Sequence, residues 1–320
     1  MGRPAPGDRV LLNTSALARG LGTGGYALVV ALPDRLPADP VAGPGHLVKA
    51  RYTPLQAMVL GVDEQESEHH ATLADADDLG GMPVVVADLH SALPAVVAGI
   101  RLRAPGARIA YVLSDGGALP AAFSRAVAGL RDAGALAACI STGQSFGGDL
   151  EAATLHTGLL AARLVVGADV AVVAQGPGNL GTGSRWGFSG VAAGEAVNAA
   201  GVLRGRPVAA LRVSEADARL RHRGVSHHTL TAIGRVALTP CDVVVPDSPG
   251  EFWDGVRRQA ADLSRSPARH RVVEVDVTGL DDALAASPVR LSTMGRGLAE
   301  DRAAFVAAGT AGLHAAALLG

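Results

Sequence analysis

From Gly80 onward the chain repeats one unit. Short, almost uninterrupted apolar runs recur at Met82–Ala87, Arg108–Leu113, Leu136–Ser141, Asp169–Ala174, Pro207–Val213, Asp242–Pro246 and Arg271–Val277, most of them about 25 to 35 residues apart. A strand that is apolar at consecutive positions, as in Val84-Val85-Val86-Ala87, must be covered on both faces. Helices on either side of a parallel sheet provide that cover. Helical patterns lie between most of the runs. Ser91 is placed to cap a helix with Leu93, Val96, Val97 and Ile100 on one face. Ser248 followed by Pro249 opens another, with Phe252, Trp253, Val256, Ala260 and Leu263 as its buried stripe. Strand–loop–helix units joined by right-handed crossovers predict an α/β domain over 81–320. Its core is a doubly wound, mostly parallel, Rossmann-like sheet, followed by an Ala-rich C-terminal helix. Arg271–Val277 alternates at its end, as an edge strand does.

Residues 1–62 have a different texture. Arg9–Leu12, Tyr26–Leu32, His46–Tyr52 and Leu55–Val62 read as strands, with turns at Gly20–Gly25 and Pro40–Gly45, and predict a small β-rich domain. The polar, acidic stretch Asp63–Asp78 makes 63–80 the expected linker.

Composition sets limits. With 320 residues and 48% hydrophobic content the chain can bury a large core and is not a disordered protein. A formal net charge of −2 supplies no overall basic field for nucleic acid or anionic lipid. No run reaches the 18 or so uncharged apolar residues of a membrane span. Cys139 and Cys241 lie in or beside apolar runs and read as buried free thiols of a reducing compartment, which points to the cytoplasm. Lys49 is the one lysine among 28 basic residues.

In open α/β sheets ligands bind beyond the carboxyl ends of the strands. The loops there are Asp88-Leu89-His90-Ser91, Ser114-Asp115-Gly116-Gly117, 141–149, 175–189 and Ser214-Glu215 with its continuation. Gly176-Pro177-Gly178-Asn179-Leu180-Gly181 is a literal G-x-G-x-x-G after a strand. With Thr182, Gly183 and Ser184 it could cradle an anion, although Pro177 lacks an N–H and the helix opening at Ser189 starts late for a dinucleotide fingerprint. Gly143-Gln144-Ser145-Phe146-Gly147 matches the nucleophile elbow G-x-S-x-G, so Ser145 is a candidate nucleophile, but no acid and histidine follow in the expected order. The segment 219–235 gathers Arg219, Arg221, His222, Arg223, His227, His228 and Arg235, a cationic patch suited to phosphate or carboxylate.

The leading expectation is a phosphorylated or otherwise anionic small molecule held by Gly176, Gly178, Gly181, Thr182, Gly183, Ser184 and Arg223. Asp88, His90, Asp115, His227 and His228 would act as acid–base groups in hydrolysis or group transfer. The cofactor is unknown; a divalent metal, if used, would take Asp88 and His90. The alternatives are a ligand-sensing or assembly module without catalysis and a serine hydrolase built on Ser145. A homo-oligomer is compatible with either.

Several strings carry a further signal: GDRVLLNT (7–14), GLGTGGYALVV (20–30), GHLVKARYTPLQ (45–56), GMPVVVADLHSALP (81–94), YVLSDGGALP (111–120), FGGDLEA (146–152), QGPGNLGTGSRWGFSG (175–190), SHHTLTAIGR (226–235) and STMGRG (292–297). Together they resemble, over essentially the whole chain, a family of uncharacterised bacterial proteins known only as a domain of unknown function. The resemblance implies an intact bacterial protein and brings no activity, substrate or catalytic residue with it. In that family's pattern more chain precedes GDRVLLNT than the six residues here, and Pro6 to Val10 reads like an internal turn. The N-terminal β region is therefore expected to lack strands and to leave a sheet edge exposed.

Overall fold

The structure is a computed structural model that describes residues 3–20, 25–38, 41–117 and 120–319. Its centre is one sheet of eight strands: β1 (Pro83–Val86), β2 (Ile109–Ser114), β3 (Ala138–Thr142), β4 (Leu150–Ala152), β5 (Val170–Gln175), β6 (Arg206–Ala210), β7 (Asp242–Asp247) and β8 (Arg271–Asp276). The spatial order is β8-β7-β6-β1-β5-β2-β3-β4 and every pairing is parallel. The doubly wound α/β fold read from the sequence is the fold observed, and Arg271–Asp276 is an edge strand as its alternation required.

The continuous apolar runs are buried as predicted; Val84, Val85, Ile109, Val112, Val172, Val208 and Val244 are sealed from solvent. Right-handed crossovers put α1 (Leu93–Arg103) and α2 (Arg125–Asp132) on one face. The helices α3 (Leu155–Leu164) and α4 (Ala192–Val202) cover the other. A short helix, α5 (His227–Thr231), runs into one π-helical turn, Ala232–Val236, and is followed by α6 (Glu251–Ala261). The chain ends with α7 (Leu280–Ala285) and α8 (Arg302–Ala317). The Ala-rich C-terminal helix α8 packs into the core against α1. The two backbones approach so closely that a Cβ on Gly99 would meet the Gly309 carbonyl oxygen, and one on Gly312 that of Val96.

The chain passes from β1 to the right, turns back after β4, inserts β5 between β1 and β2, and continues left through β6, β7 and β8. The crossover after β1 runs on one face and that after β5 on the other. The carboxyl ends of β1, β5 and β6 therefore bound the switch crevice.

Local details differ from the reading of the sequence. Ser91, Ser189 and Ser248 cap no helix: Ser91 Oγ donates to Thr293 Oγ1 at 2.9 Å, Ser189 Oγ to Asn179 Oδ1 at 2.6 Å, and α6 starts behind Gly250. The loop 143–149 leads not to a helix but to a three-residue strand, β4, that the sequence reading missed. Parallel neighbours usually need a crossover of a dozen residues or more. Here seven suffice because the glycines let the loop fold back along β3, so that Asp149 N–H reaches the Cys139 carbonyl at 2.7 Å. A Cβ on Gly148 would lie 2.6 Å from that same oxygen.

The N-terminal region contains two antiparallel ribbons, Leu11–Asn13 with Leu28–Ala31 and Leu47–Lys49 with Ala57–Val59, and no closed barrel among the described residues. Positions 21–24 of the expected turn at 20–25, and Pro40 of the next, lie outside those residues. Leu11, Leu12, Tyr26 and Leu28 on or beside the first ribbon are exposed. The acidic stretch 63–80 is folded onto the rest of the protein: Glu64 accepts from the Gly61 and His46 N–H groups, Leu73 and Leu79 are buried, and Leu79 N–H donates to the Leu203 carbonyl at 2.8 Å.

Lys49 joins the second ribbon to the sheet. The residue is 1% exposed, and its Nζ donates to the carbonyls of Ser141 (3.2 Å), Ser145 (2.9 Å) and Ala152 (2.9 Å), with Glu151 Oε2 at 3.0 Å. Burial pulls the ammonium pKa down and the Glu151 carboxyl up, and their mutual attraction opposes both shifts. Gly61 adds a parallel bridge to Glu151 beyond β4, so the ribbon extends the sheet edge. Lys49→Met would leave Glu151 buried without a cation and should lower unfolding free energy in denaturant by about 3–5 kcal/mol. Lys49→Met with Glu151→Gln should recover only the part due to the unpaired carboxylate, because the Ser141, Ser145 and Ala152 carbonyls still lack their donor. A single-variant loss under about 1 kcal/mol would mean that the ion pair does not hold this joint.

Candidate functional site

The site grows from three strand ends. Asp88 follows β1, Gln175 ends β5, and Arg212 lies two residues past β6. Asp88 and Gln175 are buried at the switch crevice, and the Arg212 side chain, 9% exposed, is nearly so. Asp88 is 6% exposed, and its Oδ2 has no hydrogen-bond partner among the described residues; Arg212 Nη1 lies 4.0 Å from it. Gln175 Nε2 donates to the Asp88 carbonyl (2.9 Å) and Asn179 Oδ1 (3.0 Å), while its Oε1 is likewise unpartnered. A third such atom at this end of the sheet, without a partner among the described residues, is His227 Nε2. Buried polar atoms are normally paired, so three orphans at one end of one sheet mark a place where a ligand would supply the missing bonds.

Arg212 links Asp88 to the histidines. Its Nη1 donates to His228 Nδ1 at 3.1 Å, and His228 stacks on Phe188 with ring centroids 3.8 Å apart and planes inclined by 2°. The helix entry beside Phe188 returns to Asp88: a Cβ on Gly190 would be 3.1 Å from Asp88 Cβ. His222 and His227 complete the cluster, with ring centroids 4.9 Å apart and each within 4.9 Å of His228. The backbone supporting them is the tight ribbon Val213–Ser214 with Gly224–Val225, then α5, whose N-cap Ser226 accepts from His228 N–H. The π turn after α5 packs against α4, where a Cβ on Gly194 would strike the Ala232 carbonyl; such turns recur at functional sites.

The electrostatics are one-sided. Burial, followed by Arg212 and Arg219, lowers the His222 pKa from 6.5 to about 4. Burial and Arg212 lower His228 to about 3, and burial with Arg221 and Arg212 lowers His227. All three rings are neutral at pH 7. Asp88 is pushed up by burial, against the pull of Arg212. Asp217 holds Arg219 through two bonds of 2.9 and 2.8 Å, and these hold its own carboxyl well below the usual range. Arg221 is exposed and lies beside Gly183 of the glycine-rich loop. Neutral imidazoles and fixed guanidinium charges can accept or transfer protons, ligate a metal or hold an anion.

Other residues expected at the site are placed as follows. Asp88, His227, His228 and the 176–184 loop share the carboxyl end of the sheet. Gly178, Gly181, Thr182, Gly183 and Ser184 are exposed, and Gly176 is buried. Two of the loop's N–H groups close the loop itself, Leu180 onto Ser189 Oγ and Thr182 onto the Gly187 carbonyl, so they form no inward cradle. Arg223 is exposed. Asp115 is exposed and braces the 143–144 turn, accepting from Gln144 N–H at 3.2 Å.

The expected pairing of Asp88 with His90 for a metal is not formed. His90 Nδ1 meets Tyr111 Oη at 2.9 Å and Nε2 meets Ser124 Oγ at 2.6 Å, which uses both nitrogens. His90 is a packing histidine. Ser145 is fully buried, and its Oγ has the Ser114 carbonyl at 3.5 Å and no imidazole bonded to it among the described residues. The reading of the sequence did not single out Gln175 or Arg212, and it named His222 only as part of the cationic segment. Arg212 stood inside a run read as strand, though a lone charge ending an apolar run was a usable signal.

A shallow cleft opens beside Asp88 and Arg212, lined also by Ser214, Asp217, Arg296 and Asp301. A smaller one lies between Asp88, Ser114, Gln175 and Gly190. Fold and site define an α/β protein with an arginine- and histidine-rich centre at its topological switch. A family model described as "Protein of unknown function (DUF3866)" matches residues 1–312, and the chain belongs to that family. No curated protein and no solved structure matches it. No helix among the described residues is long and apolar enough to cross a membrane.

The depressed histidines give a pH dependence of definite sign. His90, lowered from 6.5 to about 4 by burial, binds fewer protons folded than unfolded between those values. Stability therefore falls as pH drops through that window, by about 3 kcal/mol for this residue at ~1.4 kcal/mol per pH unit. His222 and His228 act in the same direction. Denaturant unfolding at pH 7, 5.5 and 4.5 should show the loss, and His90→Gln should flatten it. A profile flat from pH 7 to 4.5 would contradict the buried neutral rings.

Proposed function

We propose that this protein binds a small phosphorylated or carboxylated molecule at the carboxyl ends of β1, β5 and β6 and acts on it by hydrolysis or group transfer. The observation that carries this reading is the set of unpartnered buried atoms, Asp88 Oδ2, Gln175 Oε1 and His227 Nε2, around Arg212. Arg212 is the buried fork for an anionic oxygen, and exposed Arg221 is the outer charge that draws the ligand in. His227, neutral and free at Nε2, is the group able to take a proton. Two buried, unpaired thiols, raised to about 12 by burial, favour a reducing compartment such as the cytoplasm.

Thermal shift at pH 7 with pyrophosphate, a hexose phosphate and succinate tests the reading. A ligand present at a hundred times its Kd stabilises by about 2.7 kcal/mol. Arg212→Gln and the surface variant Arg221→Ala should each weaken binding, the former about tenfold or more, because a charged hydrogen bond is worth about 1.5–3 kcal/mol. Shifts absent for every probe, or undiminished in both variants, would overturn it.

A further inference from the structure

We propose that His222, His227 and His228 form a three-imidazole site for one divalent transition metal ion, with zinc as the reference ion. One ring nitrogen from each residue can be chosen so that all three lie within 4.8 Å of one another, a spacing compatible with ligation of a single ion. Three protein ligands leave a coordination position for water or for a substrate oxygen, the arrangement of a catalytic rather than a structural zinc site. The donor set is all nitrogen, which suits zinc, cobalt, nickel or copper and not magnesium or calcium.

The surroundings prepare two of the rings. His227 Nε2 is buried and has no partner among the described residues. His222 Nδ1 lies 2.8 Å from Ser226 Oγ; when the ring donates there, its Nε2 lone pair is free for a metal and the hydroxyl holds the ring as an outer partner does for a ligating histidine. His228 is held differently. Arg212 is always a donor, so its bond to His228 Nδ1 uses that lone pair and leaves the proton of the neutral ring on Nε2. Metal binding must draw Arg212 off this ring. The acceptor that would receive it is at hand: Asp88 Oδ2, unpartnered, at 4.0 Å from Arg212 Nη1. The guanidinium charges that oppose a cation are partly met already, Arg219 by Asp217 and Arg212 by Asp88.

This site deepens the proposed function and rests on it only for the anion that would occupy the remaining metal position; with metal bound, His227 Nε2 is a ligand and no longer the proton acceptor. Metal binding is measured separately. The full chain, stripped with a chelator, is titrated with zinc against a chromophoric competitor and with cobalt, read by its visible absorption. One equivalent should bind. His222→Ala, His227→Ala and His228→Ala should each weaken binding beyond the roughly 10–100-fold that loss of an outer partner costs, and His69→Ala, far along the sequence, should leave it unchanged. Unfolding midpoints in chelator show whether each variant is folded, and cobalt absorption of His227→Ala, the least buried of the three, keeps the test decisive if another variant fails to fold. No bound metal in the full chain, or full-strength binding in His222→Ala and His227→Ala, would overturn the site. Anion shifts recorded in chelator read the proposed function alone, so the failure of one is told from the failure of the other.

Discussion

Backbone pairing in a parallel sheet covered on both faces leaves no room for side-chain polarity along the strands, so polar groups are driven to the strand ends. Strands such as Val84-Val85-Val86 and Val170–Ala174 are sealed by helices above and below. The crossovers after β1 and β5 part to opposite faces, and Asp88, Gln175 and Arg212 stand at the carboxyl ends between them. The site is in this sense a by-product of the winding order. What distinguishes this chain is the content of the crevice: one carboxyl raised by burial, one buried guanidinium and three neutral imidazoles on a segment of seven residues, 222–228.

The winding itself was legible in the sequence because its signal is dense. Seven apolar runs located seven of the eight strands, and the alternation of Arg271–Val277 marked the edge. β4 was not legible: three residues carry no periodicity, and its connection is shorter than parallel neighbours normally require. The helix caps were misread for a related reason. A serine before a helix looks the same whether its hydroxyl faces the first turn or, like that of Ser189, a neighbouring asparagine.

For the site, the sequence pointed to the right end of the sheet but not to the right partners. His227 and His228 were legible as a pair in a basic segment. His222, five residues before His227, falls on no helical face with them, and a ribbon turn rather than a helix brings it close. Asp88 and His90, two residues apart, suggested a shared ligand. The strand end sends one into the crevice and the other toward Tyr111 and Ser124. The G-x-G-x-x-G match showed where a loop bends, and the structure shows that part of its backbone pairs with itself. Motif spacing reports what a backbone can do; the direction of each side chain depends on contacts from distant parts of the chain.

Lys49 is the only lysine, and it is sealed behind three carbonyls and a carboxylate. An ammonium suits such a convergence of oxygens, whereas the flat fork of an arginine does not. One outcome concerns the outside of the molecule. The folded chain offers solvent no side-chain amine, so acylating reagents and enzymes that modify lysine have nothing to act on until the joint between ribbon and sheet opens. Covalent labelling at that single nitrogen would count openings of one joint, in a protein whose other 27 basic side chains are all arginine and chemically silent to the same reagent.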